Sequence, residues 1–174
     1  MAIIENIPVL AKELGREMFD QKLSEIVLTS LSDSVHAIRE AGCECIASLV
    51  KIFGEEWTSK VVQPKMNELA THGCYLKRLT CLFLMNNFVQ KEVEKSEIAV
   101  ALPLVLQMSN DEVPNVRFNC ARTYGRMKPA IDRGCLAAGE VTDMKTRLGQ
   151  LKGDKDEDVS FYAMESWKIL GYSK

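Results

Sequence analysis

The sequence predicts an all-α fold, an α-α superhelix of paired helices in about four and a half repeats. The main observation is a period: Arg39, Arg78 and Arg117 recur at one constant interval, and each opens an apolar helical run. Pro64 and Pro103 are separated by the same interval, each well before an arginine. A fixed period of about 39 residues is typical of a solenoid of helix pairs, which binds along an extended surface and rarely carries chemistry.

The composition agrees with a helical solenoid. Of the 174 residues 47% are hydrophobic and 26% are charged, with only ten Gly and five Pro. The many Leu, Ala, Met, Glu and Lys residues favour helices over strands. A net charge of −2 gives no basic surface for nucleic acid. No apolar run approaches the roughly 18 residues that cross a bilayer, so we expect neither nucleic acid nor a membrane as partner.

Apolar residues at helical spacing, interrupted by short turns, predict nine helices. The first covers residues 2–14 and carries Ile3, Ile7 and Leu10 on one stripe, and Gly15 ends it. A turn at residues 32–34 supplies N-cap side chains for the third helix, which ends at Gly54. After the first, the helices are expected at 18–31, 35–53, 56–70, 75–91, 96–109, 113–128, 136–151 and 158–170.

Grouping these helices gives one continuous array over residues 1–174. It consists of a half repeat and four full repeats, at 1–15, 16–54, 55–92, 93–133 and 134–174. The chain begins inside a repeat, because Leu14–Gly15 matches Phe53–Gly54 one period later. We therefore expect a fragment or a divergent short form. Its open apolar end favours an end-to-end homodimer that buries Ile3, Ile7 and Leu10.

Aligning the repeats on their arginines predicts the buried face of each second helix. Offsets of three, seven and ten residues trace one face of a helix. These offsets give Gly42, Cys81 and Cys120, then Ile46, Met85 and Tyr124, then Leu49, Phe88 and Met127. All nine are small or apolar, so this face is predicted to pack in the core.

An aspartate stands six residues before two of the arginines and predicts a structural ladder. Asp33 precedes Arg39 and Asp111 precedes Arg117. Each aspartate is expected to cap N–H groups at its turn and to meet an arginine of the neighbouring repeat. His72 occupies the aspartate position of the third repeat.

The final repeat departs from the pattern. Ser160 replaces the arginine, and it follows Arg117 four positions later than the period requires. Asp154 still precedes Ser160 by six residues. We place the extra length in the acidic turn at residues 148–158.

The Asp-x5-Arg turns, the prolines and the period resemble HEAT repeats. The strings VHAIREA (35–41), FGEEW (53–57), CYLKRLTCLF (74–83) and VPNVRFNCAR (113–122) resemble one HEAT family in particular. It is the scaffold (A) subunits of type 2A serine/threonine protein phosphatases, over their last four and a half repeats. The resemblance is collinear over nearly the whole chain.

This resemblance implies a non-catalytic scaffold that binds the phosphatase catalytic subunit through the turns inside each repeat. By position, the implied contact residues include Tyr75, Arg78 and Val113, and His36 stands where the family has a contacting tyrosine. Regulatory subunits would be engaged through the earlier repeats of a longer parent chain. With the neighbouring turn residues, the predicted partner-binding set is His36, Tyr75, Lys77, Arg78, Val113, Pro114 and Asn115.

Tyr75 followed by Lys77 and Arg78 joins an aromatic anchor to two cations, as interface hot spots often do. The alternative is that Tyr75 packs over a neighbouring turn and Arg78 pairs within the stack. A second functional class also stays open: a generic HEAT-repeat adaptor, a transport or assembly factor, that uses its concave face for another partner.

The sequence predicts no enzyme, metal or cofactor. A metallophosphatase needs several His and Asp ligands around two metals, but the chain has only His36 and His72 as histidines. Cys120 and Arg126 have the C-x5-R spacing of cysteine phosphatases, but that site needs a loop of free N–H groups and this segment is predicted helical. Six cysteines without a secretory signal indicate reduced thiols, so we expect a cytoplasmic location, with the nucleus as an alternative.

Overall fold

The computed structural model describes residues 2–172, and every regular element in them is helical, as the sequence predicted. None of these helices is long and apolar enough to cross a membrane. The α-helices are α1 (Ala2–Lys22), α2 (Ser24–Ser30), α3 (His36–Trp57), α4 (Gln63–Ala70), α5 (Tyr75–Gln90), α6 (Lys95–Met108), α7 (Pro114–Arg126), α8 (Lys128–Asp132), α9 (Ala138–Leu151) and α10 (Glu157–Ile169). A π-helical turn at Thr58–Val62 joins α3 to α4.

The predicted number of nine helices is slightly off. The chain turns sharply at Gly15 and Gly54, with φ of 74° and 73°, but it re-enters the helix at once, so α1 and α3 each run through the predicted break. The predicted second helix is interrupted at Leu23, whose φ of −124° leaves the helical region. The short α8 was not predicted; it lies in the segment that holds the extra residues of the last repeat.

The helices stack in two layers. The second-helix layer is formed by α1, α3, α5, α7 and α10, each packed on the next. In the other layer α4 packs on α6 and α6 on α9. Because each pair contacts only its neighbours, the core is a continuous ribbon along the stack and not a central ball.

The core ribbon contains the face predicted from the period. Ile46, Met85 and Tyr124 are each fully buried, as are Leu49 and the others at matching offsets. Gly42 takes the place that cysteine has in the next two repeats. A Cβ atom there would collide with the Ser30 hydroxyl, so the absence of a side chain lets α2 approach α3 closely.

The open N-terminal end differs from the prediction in one residue. Ile3 and Leu10 are 75% and 46% exposed, but Ile7 is fully buried. Ile7 lies with Ile4 and Ala11 on the side of α1 that packs on α3. The predicted common exposed face was therefore wrong for Ile7, because one stripe of a helix turns inward and the adjacent stripe outward.

The extra four residues of the last repeat do not lie at residues 148–158. Lys95 opens α6 and Ala138 opens α9, and Asp111 follows Lys95 by the same interval as Asp154 follows Ala138. The insertion therefore precedes α9. It falls in the segment that contains α8 and the loop at residues 133–137. This loop carries the buried Cys135 and Leu136 back onto the core.

Candidate functional site

The four turns inside the repeats line up along one edge of the stack. We call this edge the turn ridge, formed by residues 31–35, 71–74, 109–113 and 152–156. In each turn one side chain accepts a hydrogen bond from the N–H two residues later, at 2.8 to 3.0 Å. These side chains are Asp33, His72, Asp111 and Asp154. His72 thus reproduces with Nδ1 the turn that the carboxylates form elsewhere.

Arg78 connects two neighbouring turns. Its Nη1 donates to the carbonyls of His72 and Gly73 in its own turn, at 2.7 and 3.1 Å. Its Nε and Nη2 donate to both carboxylate oxygens of Asp111 in the next turn, at 2.6 and 2.9 Å. Both side chains are about nine-tenths buried. This bidentate pair raises the pKa of the Arg78 guanidinium and fixes the spacing of the two turns.

Arg117 repeats the same arrangement one repeat further on. Its Nη1 donates to the carbonyls of Asp111 and Glu112, while Nε and Nη2 donate to Asp154 at 2.8 Å each. The hydrogen bond from Arg117 lowers the pKa of the Asp154 carboxyl. These two rungs form an arginine–carboxylate ladder along the ridge.

The ladder is incomplete at its first arginine. Arg39 donates through Nη1 to the carbonyls of Asp33 and Ser34, at 2.9 and 3.0 Å. It reaches no carboxylate, because the next turn has His72 where the other turns have aspartate. Its Nε is buried and has no acceptor among residues 2–172. Asp33, in turn, has no arginine partner there.

At the other end of the ladder Ser160 replaces the arginine. Its hydroxyl donates to the carbonyl of Lys152 at 2.7 Å, so it keeps the bond to its own turn and loses the bond to a further one. A further hydrogen bond, which the sequence period did not reveal, joins the last two repeats: Arg147 donates to the Asn110 side chain at 2.7 Å.

Of three predicted contact residues beside the ridge, one is exposed, one is half-buried and one is buried. Tyr75 opens α5 and is 38% exposed, and Lys77 follows it half-buried. Arg78 is only 8% exposed and faces the ladder. Of the predicted trio, Tyr75 and Lys77 are at least partly open to solvent, whereas Arg78 holds the neighbouring turns together.

The remaining predicted residues continue the ridge on both sides. His36 is exposed at the start of α3, with Nδ1 3.3 Å from the Glu40 carboxylate and its ring edge-on to Phe83. Asn115 is exposed at the start of α7, and Val113 and Pro114 before it are half-buried. The ridge therefore presents two ring side chains, His36 and Tyr75, one repeat apart.

A separate groove of 990 Å³ crosses the second-helix layer at the ends of α5, α7 and α10. Arg122 and Arg126 stand one turn apart on its wall, and the Arg122 guanidinium lies 5.1 Å from the centre of the Tyr162 ring. No carboxylate among residues 2–172 forms an ion pair with either arginine. The i, i+4 spacing of the two arginines was visible in the sequence, but the groove required the stacking of three repeats.

Cys120, the cysteine with the C-x5-R spacing, lies in the core with two other cysteines. Cys43, Cys81 and Cys120 are buried on successive second helices, and burial raises the pKa of the Cys81 thiol to about 12. Burial raises the pKa of Cys43 and Cys120 as well. Cys120 and Arg126 lie on one regular helix, α7, whose N–H groups are used within the helix. This segment offers no phosphate loop.

Comparison with known proteins matches the fold and the resemblance. The HEAT repeat family matches residues 23–53 and 101–130. The chain is 34% identical over 79 residues to the regulatory A subunit of protein phosphatase PP2A from Schizosaccharomyces pombe, over 44% of this chain and 13% of the relative. It is 32% identical over 122 residues to the PP2A regulatory A subunit of Saccharomyces cerevisiae, over 68% of this chain and 19% of the relative.

A human relative agrees over a shorter stretch. The chain is 40% identical over 58 residues to the beta isoform of the 65 kDa regulatory A subunit of serine/threonine-protein phosphatase 2A from Homo sapiens, over 33% of this chain and 9% of the relative. The chain thus spans less than a fifth of the length of each of these relatives.

Proposed function

We propose that this chain, a HEAT-repeat solenoid similar to the A subunits of protein phosphatase 2A, is a non-catalytic scaffold. Its turn ridge binds the catalytic subunit of a type 2A serine/threonine phosphatase. The observation that carries the proposal is the ridge itself: exposed Tyr75 and half-buried Lys77 follow directly on a turn that buried Arg78 fixes in place. A rigid edge that presents an aromatic anchor binds without a large ordering cost.

The arrangement of the ladder supports this division of roles. Arg78 and Arg117 each tie the backbone of their own turn to the side chain of the next, so these turns are spaced before a partner arrives. Preorganised residues lose little conformational freedom on binding. The residues suited to contact the partner are therefore the exposed ones on either side of the ladder, and substitutions that test contact must leave the ladder intact.

The test is capture of a purified phosphatase catalytic subunit by three forms of the chain. The ridge variant replaces Tyr75 and Lys77 by alanine, and the matched control replaces Arg122 and Arg126 on the second-helix layer. We expect the ridge variant to lose capture at least tenfold, the effect of removing one hot-spot side chain. The control should capture like the original chain. Undiminished capture by the ridge variant would sink the proposal.

The groove across α5, α7 and α10 favours a second candidate, a HEAT-repeat adaptor for another protein. Two arginines that form no ion pair within residues 2–172, one of them lying over the Tyr162 ring, are suited to an interface because a planar guanidinium binds carboxylates in bidentate fashion. In the same experiment this candidate predicts that the unmodified chain does not capture the phosphatase catalytic subunit, whereas capture of its own partner depends on Arg122 and Arg126 and not on Tyr75.

A further inference from the structure

The side chain of Arg39 has the same pose as the arginines of the complete rungs. Its Nη1 holds the carbonyls of Asp33 and Ser34, as the Nη1 of Arg78 holds those of His72 and Gly73. In the complete rungs an arginine held in this way points Nε and Nη2 toward the next turn. In the complete rungs these two atoms grip a carboxylate.

At Arg39 no carboxylate from residues 2–172 occupies this position. The residue is 6% exposed, yet its Nε has no acceptor among residues 2–172. A buried charged donor without an acceptor is costly and is rare in folded proteins. The chain tolerates this cost at one rung of three.

His72 cannot fill the gap. Its Nδ1 already accepts the N–H of Cys74 at 2.9 Å, so this nitrogen carries no proton and the other ring nitrogen does. The imidazole therefore offers Arg39 no second acceptor. The carboxylate of Glu68 on the preceding helix is engaged by Lys65 at 2.9 Å.

We propose that Arg39 is a binding site for a carboxylate side chain supplied by the partner protein, an Asp or Glu that completes the ladder when it docks on the turn ridge. This rests on the proposed function, because the carboxylate comes from the protein bound to the ridge. Arg39 holds the first turn, which leads into exposed His36, and the next turn leads into exposed Tyr75, so a partner that covers both rings spans the gap between these two turns. The partner's carboxylate would take the place that Asp111 has beside Arg78.

Two substitutions at one position separate this role from general packing. In His72→Asp the chain supplies its own carboxylate to Arg39, whereas His72→Asn has the same size and turn-forming ability without the charge. Both can accept the Cys74 N–H. We expect His72→Asp to unfold at a higher temperature than His72→Asn, because the rung is now complete.

The second measurement is the affinity of each variant for the purified phosphatase catalytic subunit. We expect His72→Asp to bind about tenfold more weakly than His72→Asn, because its carboxylate occupies the site and repels the incoming one. Equal affinities of the two variants would overturn the inference while leaving the ridge proposal standing. Absence of binding by the unmodified chain would overturn both. Full binding by an Arg39→Lys variant, which cannot make the bidentate contact, would also count against it.

Discussion

At the scale of single residues, one substitution in the repeat decides how the ladder behaves. Asp111 and Asp154 meet arginines, whereas His72 keeps the turn and leaves Arg39 without a carboxylate. The same residue position thus has two separable tasks, which are to accept an N–H two residues later and to accept a guanidinium from the repeat before. The histidine performs only the first task.

Asp111→Asn should cost about 2 kcal/mol of the free energy of unfolding. The amide still accepts the Val113 N–H, but the buried Arg78 loses its charged, bidentate partner. Urea unfolding measures the change. The matched control is Asp33→Asn, which removes a carboxylate that pairs with no arginine among residues 2–172 and should change stability by less than about 0.5 kcal/mol. Equal losses in the two variants would show that the rung contributes nothing.

Acid should weaken the last rung. The pKa of Asp154 is lower in the folded chain than in the unfolded one because Arg117 donates hydrogen bonds to it. The resulting stabilisation is therefore complete above the unfolded value, near 3.9, and is lost as the pH falls through the lower folded value. We expect the urea midpoint to fall less between pH 5 and pH 2 in Asp154→Asn than in the unmodified chain. Parallel pH profiles would contradict this role of Asp154.

At the scale of helices, the breaks are set by backbone conformation more than by packing. Gly15 and Gly54, one period apart, have φ near +73° with ψ near 180°, a region that residues with a side chain avoid. Nothing lies within 4 Å of a Cβ built at either position. Each glycine therefore lets the second helix of one repeat turn sharply into the first helix of the next.

Gly54→Ala should destabilise the chain by about 1–2 kcal/mol through backbone strain alone. The matched control is Gly139→Ala inside α9, where the backbone is helical and a Cβ also meets nothing. There the same change should stabilise by about 0.5–1 kcal/mol, since alanine is the better helix former. Thermal unfolding of both variants gives the two signs, and a loss at Gly139 as large as at Gly54 would contradict the backbone explanation.

At the scale of the whole molecule, stacking leaves the two ends of the core ribbon different from its middle. Apolar side chains are exposed at the first helices and again on α10. They include Ile3, Leu10, Leu14 and Met18 at one end, and Phe161, Met164 and Ile169 at the other. Such apolar ends favour association.

The predicted homodimer can be tested with Ile3→Lys combined with Leu10→Lys, two exposed positions on α1. Light scattering after size exclusion should give a mass above the 19.5 kDa of one chain for the unmodified protein, and close to it for the variant. Ile7 is unsuitable for this test because it lies in the core. A single-chain mass for the unmodified protein at high concentration would rule the dimer out.

The sequence alone determined the helical solenoid and the buried face of α3, α5 and α7, because a constant period restates the same helical spacing three times. For Arg78 the sequence provided only part of the answer. Its place in the period was readable, but its burial against Asp111 depends on how far one turn lies from the next. The bidentate pair became visible only in the tertiary structure.

Three further features depended on the stacking of distant segments. They are the position of the extra residues before α9, the lack of a carboxylate beside Arg39 among residues 2–172, and the groove beside Arg122. A repeat period identifies the equivalent residues of successive repeats, since equivalent positions recur along the chain at that interval. It does not give which equivalent side chains reach each other across repeats, because that is fixed by the packing of whole helices.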